Sequence, residues 1–292
     1  MKIEPSIVSF RRTLEEFIGD IDISEIEIIR SGPNKSVARV NNTWIFKIQT
    51  SGKSRDLLRE IMITSILSDC PIKIPEYGYI YHSPTKTFGG YRLIDGTGLQ
   101  RTKRLSSVMI GQFYDFRRFL ISKSYTARRI SIFEKFNRIQ WGKKYETFIM
   151  EFTREAESHK LGIDLTLLHE LLEKFISKDI KTMRPTLIHG DLYRDNVVID
   201  HDRRRINGII DFGDTCLGDP ALDYAAFAMD FITQLEDIMN GTTEYTDENF
   251  ANRMMFYIST EPIYSILVDI QRGMAVSEET INIMNRRMEN AR

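Results

Sequence analysis

Two apolar runs, Leu187-Ile188 and Val197-Val198-Ile199, enclose a polar stretch that reads His189-Gly190-Asp191-Leu192-Tyr193-Arg194-Asp195-Asn196. The alternation predicts a strand, a loop and a second strand, with the acids held on the loop. Fifteen residues after Asn196, another apolar run, Ile209-Ile210, ends on Asp211 and continues as Phe212-Gly213-Asp214. A fold that accommodates both segments places carboxylates at the ends of short strands, where a rigid frame presents loop residues for chemistry.

Phosphoryl transfer from a nucleotide needs this set of groups. One carboxylate accepts or orients the proton of the attacking hydroxyl. An amide and a second carboxylate hold Mg2+, a hard cation that prefers oxygen ligands. The metal offsets charge on the β- and γ-phosphates, so little covalent work is left to the protein. On this reading Asp191 is the hydroxyl-orienting group or base, and Asn196 and Asp211 are the metal ligands.

These segments resemble the aminoglycoside phosphotransferase and choline kinase family, small-molecule kinases distantly related to protein kinases. The family's catalytic loop reads His-Gly-Asp-x-x-x-x-Asn, as at 189–196. Its metal motif reads Ile-Asp-Phe/Trp-Gly/Glu-Asp, often followed by Gly-Asp-Pro-x-x-Asp-Leu-Ala. Here the second stretch is Ile210-Asp211-Phe212-Gly213-Asp214, then Gly218-Asp219-Pro220-Ala221-Leu222-Asp223-Tyr224-Ala225. The resemblance implies an α+β, bilobal, protein-kinase-like fold: a small antiparallel-sheet N-terminal lobe with one helix, and a larger, mainly helical C-terminal lobe. It also implies ATP or GTP as phosphoryl donor and Mg2+ as metal.

The first lobe then supplies the nucleotide grip. In Trp44-Ile45-Phe46-Lys47, strand alternation puts Ile45 and Lys47 on one face and Trp44, Phe46 and Ile48 on the other. By resemblance, Lys47 reaches the α- and β-phosphates and Ile45 lies against the base. An acid must hold Lys47; Glu60 is the family-like choice and Asp56, one turn earlier, the alternative. The segment Ser31-Gly32-Pro33-Asn34-Lys35-Ser36-Val37 falls where a phosphate-covering loop belongs, with Ser31, Gly32, Asn34 and Ser36 as candidate contacts. It has one glycine where protein kinases have three. Gly90-Tyr91-Arg92-Leu93-Ile94-Asp95-Gly96 is the expected inter-lobe segment, with Leu93 and Ile94 on the base edge and Tyr91 at the back of the pocket.

Other residues near the motifs read as supports. His189 braces the backbone near the metal aspartate. Asp219 caps a helix that starts at Pro220, and Asp223 ties down the catalytic loop. Arg194 either offsets charge on the transferring group or pairs with Asp195 or Asp214.

The remaining pattern supports two lobes. Residues 5–19 read as an amphipathic helix, followed by strands at Ile26–Arg30, Ser36–Val40 and Thr43–Ile48. Asn41-Asn42 forms a tight turn between the last two, because Asn tolerates positive φ. A helix over Asp56–Leu67 and strands near Glu76–Tyr81 and Phe88–Ile94 complete the first lobe. Long helical patterns fill 103–180, Val197–Ile199 and Ile206–Ile210 are short strands, and helices resume at Pro220. The boundary falls at about Ile94–Gly98, giving a nucleotide-binding lobe at 1–94 and a catalytic and acceptor-binding lobe at 95–292.

Composition narrows the class. With 292 residues, 42% hydrophobic, the chain can bury a substantial core. Lys+Arg 40 against Asp+Glu 41 gives a net charge of -1, which argues against binding nucleic acid by bulk charge. Cys70 and Cys216 lack metal-ligand spacing and read as packing residues of a reducing compartment. No leader-like start and no run of roughly 20 apolar residues is visible, so a cytoplasmic monomer off the membrane is expected.

The acceptor is the open question. Acids in the tail (Asp230, Glu236, Asp237, Glu244, Asp247, Glu248, Glu261) suit a polycationic amino sugar, and an aminoglycoside, hence antibiotic resistance, is the first reading. The basic segment 101–130 suits an anionic acceptor instead. A metabolic kinase for choline, a sugar or homoserine is the alternative, and a catalytically inactive regulatory module is a third reading. A protein kinase fits less well, since Gly190 stands where an Arg is usual and no Ala-Pro-Glu segment follows.

Overall fold

The computed structural model describes residues 7–17, 23–31, 35–50, 54–240 and 247–292. In chain order the first elements are α1 (Ile7–Phe17), β1 (Ile26–Ser31), β2 (Lys35–Val40), β3 (Trp44–Thr50), α2 (Ser54–Ile66), β4 (Tyr77–Ser83), β5 (Lys86–Arg92) and β6 (Thr97–Gly98). Then come α3 (Ser107–Arg129), β7 (Glu134–Lys135), α4 (Arg138–Ser158), α5 (Leu165–Ser177), β8 (Thr186–Ile188), β9 (Val197–Ile199), β10 (Ile206–Ile209) and β11 (Cys216–Gly218). The chain ends in α6 (Pro220–Ala228), α7 (Leu235–Asn240), α8 (Phe250–Thr260), α9 (Pro262–Gln271) and α10 (Glu278–Ala291).

The chain forms two compact units. One comprises residues 1–102, 106–119 and 195–215; the other comprises 103–105, 120–194 and 216–292. No helix among the described residues is long and apolar enough to cross a membrane.

In the first unit, five antiparallel strands lie in the order β1-β2-β3-β5-β4. The β2–β3 turn is made by Asn41 and Asn42, each with φ of 51°. Consecutive positive φ values give the turn that matches the twist of a hairpin. Alternation along β2 sends Ala38 and Val40 into a core with Phe46, Ile48 and Phe88, which Phe10 and Leu14 of α1 close from one face. Phe10 and Leu14 meet the sheet together because they stand one helical turn apart. The opposite face is covered by α2, which packs on β3, β4 and β5. Gly90 lets the Phe46 ring lie flat on β5: a Cβ there would come 2.0 Å from that ring. A second small sheet, β10-β9-β6, belongs to the same unit, tied back by the Ile209 N–H to Lys73 C=O bond of 2.9 Å.

The second unit is helical around one short sheet, β7-β11-β8. Two of its helices, α4 and α5, start where the sequence provides caps. Asn137 and Gln140 form a reciprocal capping box on α4, and Asp164 accepts from Leu167 N–H on α5. The core is aromatic: Phe175 and Phe256 stack at 4.0 Å, and Trp141 Nε1–H donates to Tyr257 Oη at 2.8 Å. The short strands β6, β7 and β11 are additions to what the sequence suggested, since pieces of two or three residues show no periodicity.

Candidate active site

Lys47 sits mid-strand on β3, paired with Val37 on one side and Gly89 on the other. Its face of the sheet lies under α2, so a long cationic side chain is buried there with 4% of its surface exposed. A buried ammonium requires counter-charges. Glu60 of α2 provides one, with Oε1 at 2.7 Å, and Asp211 a second, with Oδ1 at 3.1 Å. Burial works against the charge on Lys47, but Glu60, then Tyr91 and Asp211, outweigh it and hold the ammonium protonated. Asp56, the alternative partner, is exposed and accepts from Gln49 Nε2 at 3.4 Å instead.

Three residues join this cluster that the motifs did not single out as site residues. Tyr77 donates its hydroxyl to Glu60 Oε1 at 2.9 Å. Lys35, first residue of β2, places Nζ 3.1 Å from Asp211 Oδ1 and 3.8 Å from Glu60 Oε2. Arg59, beside Glu60 on α2, donates to the carbonyls of Gly213 and Thr215 and so clamps the turn that follows Asp211. Tyr77 is invisible in sequence because it reaches Glu60 only through strand pairing. Lys35 and Arg59 are legible as charges next to motif positions, and nothing local shows what they touch.

Asp211 has φ 65° and ψ 63°, a left-handed backbone that few residues other than glycine adopt readily. The chain turns sharply there and aims the carboxylate back at Lys47. Burial pushes its acid up, while Lys47 and then Lys35 pull it further down, so it is held well below the usual carboxylate range. Asn196 is set alongside, because its carbonyl accepts from the N–H of Ile210 at 2.9 Å, one residue before Asp211. An ionised carboxylate and an amide oxygen suit a hard divalent cation. Among the described residues no group of three or more His, Cys, Asp or Glu could hold a metal alone. Two protein oxygen donors fit Mg2+, which takes few protein ligands and completes its shell with water and substrate phosphate.

The expected base-binding residues divide by face. Ile45 pairs with Tyr91 across the β3–β5 ladder, on the same face as Lys47. Tyr91 is 2% exposed, and burial, against the opposing pull of Lys47, pushes its phenol up to about 12. Ser36 departs from expectation: alternation places its side chain with Ala38 and Val40, on the α1 face, away from Lys47. Ser31 closes the β1–β2 ladder opposite Ser36, while Gly32 and Asn34 lie outside the described residues, as does Glu244. Leu93 donates its N–H to Thr43 C=O at 2.8 Å, and Ile94 covers Gly208, where a Cβ would come 2.5 Å from Ile94 Cγ2.

In the second unit, the loop carrying Asp191 is fixed from below. The Asp223 carboxylate, fully buried on α6, accepts from the N–H groups of His189 and Gly190, each at 2.9 Å. Gly190 turns left-handed at φ 85°, and Asp191 N–H donates to His189 Nδ1 at 3.2 Å. α6 is anchored in turn. Asp219 caps it through Ala221 N–H and accepts from Arg253 Nε and Tyr257 Oη, both at 2.7 Å. Arg194 pairs with Asp230 at 3.2 Å, in place of Asp195 or Asp214. Tyr193 lies near Asp191: burial, then Glu261, Tyr264 and Asp191, raise its phenol well above normal. Glu261 is itself paired with Arg287 at 3.0 Å, and Tyr264 stacks on Phe148 with centroids 4.6 Å apart.

A five-stranded antiparallel sheet whose buried lysine is held by a helix glutamate and a strand-end aspartate, with a separate helical unit, defines the kinase-like class. Solved structures share this fold. The GDP complex of wild-type aminoglycoside 2'-phosphotransferase-IIIa aligns with a TM-score of 0.75 at 20% identity, over 98% of this chain and 98% of that one. The GDP and kanamycin complex of APH(2")-IIia gives a TM-score of 0.75 at 22% identity, over 97% and 98%. Macrolide 2'-phosphotransferase type I gives 0.68 at 16% identity, over 98% of each chain. The chain belongs to the phosphotransferase enzyme family, whose sequence model matches residues 25–248.

Proposed function

We propose that this protein moves the γ-phosphoryl group of ATP or GTP to a hydroxyl of a small molecule, with an aminoglycoside or related amino sugar as first acceptor. The observation that carries the reading is the Lys47–Glu60–Asp211 cluster, in which Lys47 contacts Glu60 at 2.7 Å and Asp211 at 3.1 Å. A lysine held charged in this way suits the α- and β-phosphates, with Ile45 and Tyr91 beside the base. Asn196 and Asp211 are assigned to Mg2+, which when bound offsets charge on the transferring phosphates. Asp191 is assigned to orient the acceptor hydroxyl and take its proton, the loop being held for that by Asp223. The division into a nucleotide-binding part over 1–94 and a catalytic and acceptor-binding part over 95–292 goes with these roles.

The acceptor side has its own support. Tyr193, two residues after Asp191, is acted on electrostatically by Glu261 and Tyr264, and an acid together with tyrosines suits a sugar bearing an amine. Yet three of the tail acids are already matched by arginines: Asp230 with Arg194, Asp247 with Arg253, Glu261 with Arg287. That pairing favours, as a second reading, an amino-sugar acceptor with few ammonium groups, of which a macrolide is one type. Choline, a sugar or homoserine remains the metabolic alternative.

The decisive experiment measures transfer from labelled ATP and GTP in Mg2+ over a panel of aminoglycosides, macrolides, choline, sugars and amino alcohols. Asp191→Ala is expected to lower turnover by roughly 10²–10⁴-fold while leaving nucleotide binding intact. A mutant as active as wild type would remove Asp191 from the mechanism. If wild type transferred to nothing in the panel yet bound nucleotide, the regulatory-module reading would stand in its place.

A further inference from the structure

Asp211 Oδ1 carries two lysines. Lys47 and Lys35 each place Nζ 3.1 Å from it, and Glu60 answers both, with Oε1 2.7 Å from Lys47 and Oε2 3.8 Å from Lys35. Two ammonium groups thus share two carboxylates. The four are not equivalent: the side chains of Lys47 and Glu60 are 4% and 1% exposed, whereas Lys35 and Asp211 are 31% and 22% exposed. Lys47 is mid-strand, with paired neighbours on both sides. Lys35 heads β2, and its long unbranched arm meets the cluster from the open side.

A divalent cation and the Lys35 ammonium are like charges wanting one carboxylate, and they repel at short range. Lys47 keeps Glu60 whatever happens at Asp211. Lys35 has no equal second partner in the cluster, since Glu60 lies 3.8 Å away and already serves Lys47 and Tyr77. The anions that arrive with the metal are the phosphates. A flexible ammonium standing at that carboxylate is placed to take them as its new counter-charge.

We propose that Lys35 is a second phosphate-binding lysine, which holds Asp211 and passes to the nucleotide's terminal phosphates when Asp211 takes the metal. The proposal rests on the phosphotransferase reading above.

The test compares wild type, Lys35→Met and Lys35→Arg by calorimetric titration with ATP, GTP and ADP in Mg2+. Mn2+ binding without nucleotide is followed by electron paramagnetic resonance. Lys35→Met is expected to weaken the triphosphates roughly tenfold and ADP about twofold, with Lys35→Arg within about threefold of wild type. Without nucleotide, Lys35→Met is expected to bind Mn2+ about threefold or more tightly, the competing ammonium being gone. Lys35 is a partly exposed strand-end residue, so a melting curve matching wild type serves as the folding control. Equal triphosphate affinity in wild type and Lys35→Met would overturn the proposal while leaving the phosphotransferase reading standing. Failure of wild type to bind any nucleotide would overturn both.

Discussion

At the scale of single residues, the site is built from charges that no local rule explains. Glu60 is 1% exposed and meets Lys47 and Tyr77 with one oxygen. Removing it leaves Lys47 buried with Asp211 alone. Glu60→Ala is expected to cost about 3–5 kcal/mol in thermal or denaturant unfolding, and the apolar pair Lys47→Met with Glu60→Leu distinctly less. A double variant as unstable as the single one would show that charge burial is not the cause. Asp247 gives a pH prediction. Burial raises its acid, but Arg253 and Thr182 more than reverse this, so the folded value lies below the unfolded one. A depressed carboxylate contributes stability above its unfolded value of about 3.9 and loses it as pH falls toward the lower folded value. Melting temperature should therefore drop between about pH 5 and 2, and Asp247→Asn, weaker at neutral pH, should drop less over that range. Parallel curves for the two proteins would refute the assignment. The motif positions assigned to Asp191, Asn196 and Asp211 are read from the apolar runs that border them. The contacts of Lys35 and Tyr77 could not be read there, since their partners lie far away in sequence and are brought close only by the fold.

Elements were more readable than contacts. The helix at the start, the hairpins and the helix over Ser54–Ile66 follow from periodicity and from Asn41-Asn42. The Asn pair makes the element-scale prediction. Both residues have φ of 51°, and the Asn41 side chain accepts from the N–H groups of Ser24 and Glu25 at 3.0 Å. Asn41 is thus doubly committed, whereas Asn42 adds to its backbone role one exposed bond, from Nδ2 to Glu25 Oε2 at 3.1 Å. Asn42→Gly should hold or raise stability by up to about 1 kcal/mol, whereas Asn42→Val should lose about 1–2 kcal/mol, as read by unfolding. Equal stability for the two would mean that the turn does not limit the sheet. Ser36 shows how a sequence reading goes astray. Position near a loop suggested a phosphate contact, but strand parity, fixed by the Val37–Lys47 pairing, sends its side chain to the opposite face.

For the whole molecule, the family match gives a phosphotransferase, and mass action gives a test that needs no acceptor. A nucleotide that binds only the folded chain raises its melting temperature, by about 2.7 kcal/mol of stabilisation at a hundred times the dissociation constant. ATP or GTP with Mg2+ should shift the melt, and Asp211→Asn should blunt the part of the shift that depends on Mg2+. No shift with either nucleotide would count against the donor assignment. The division into two units carries one more consequence. The chain crosses from one to the other after Thr102, Leu105, Phe119, Arg194 and Thr215. Neither half is therefore a continuous stretch that a truncated gene could encode. A single cut near residue 94, where the five-stranded sheet has just ended, would strip that unit of 195–215 and with it Asn196 and Asp211. Fragment expression, split reporters and exchange of a whole unit with relatives would have to move several segments at once.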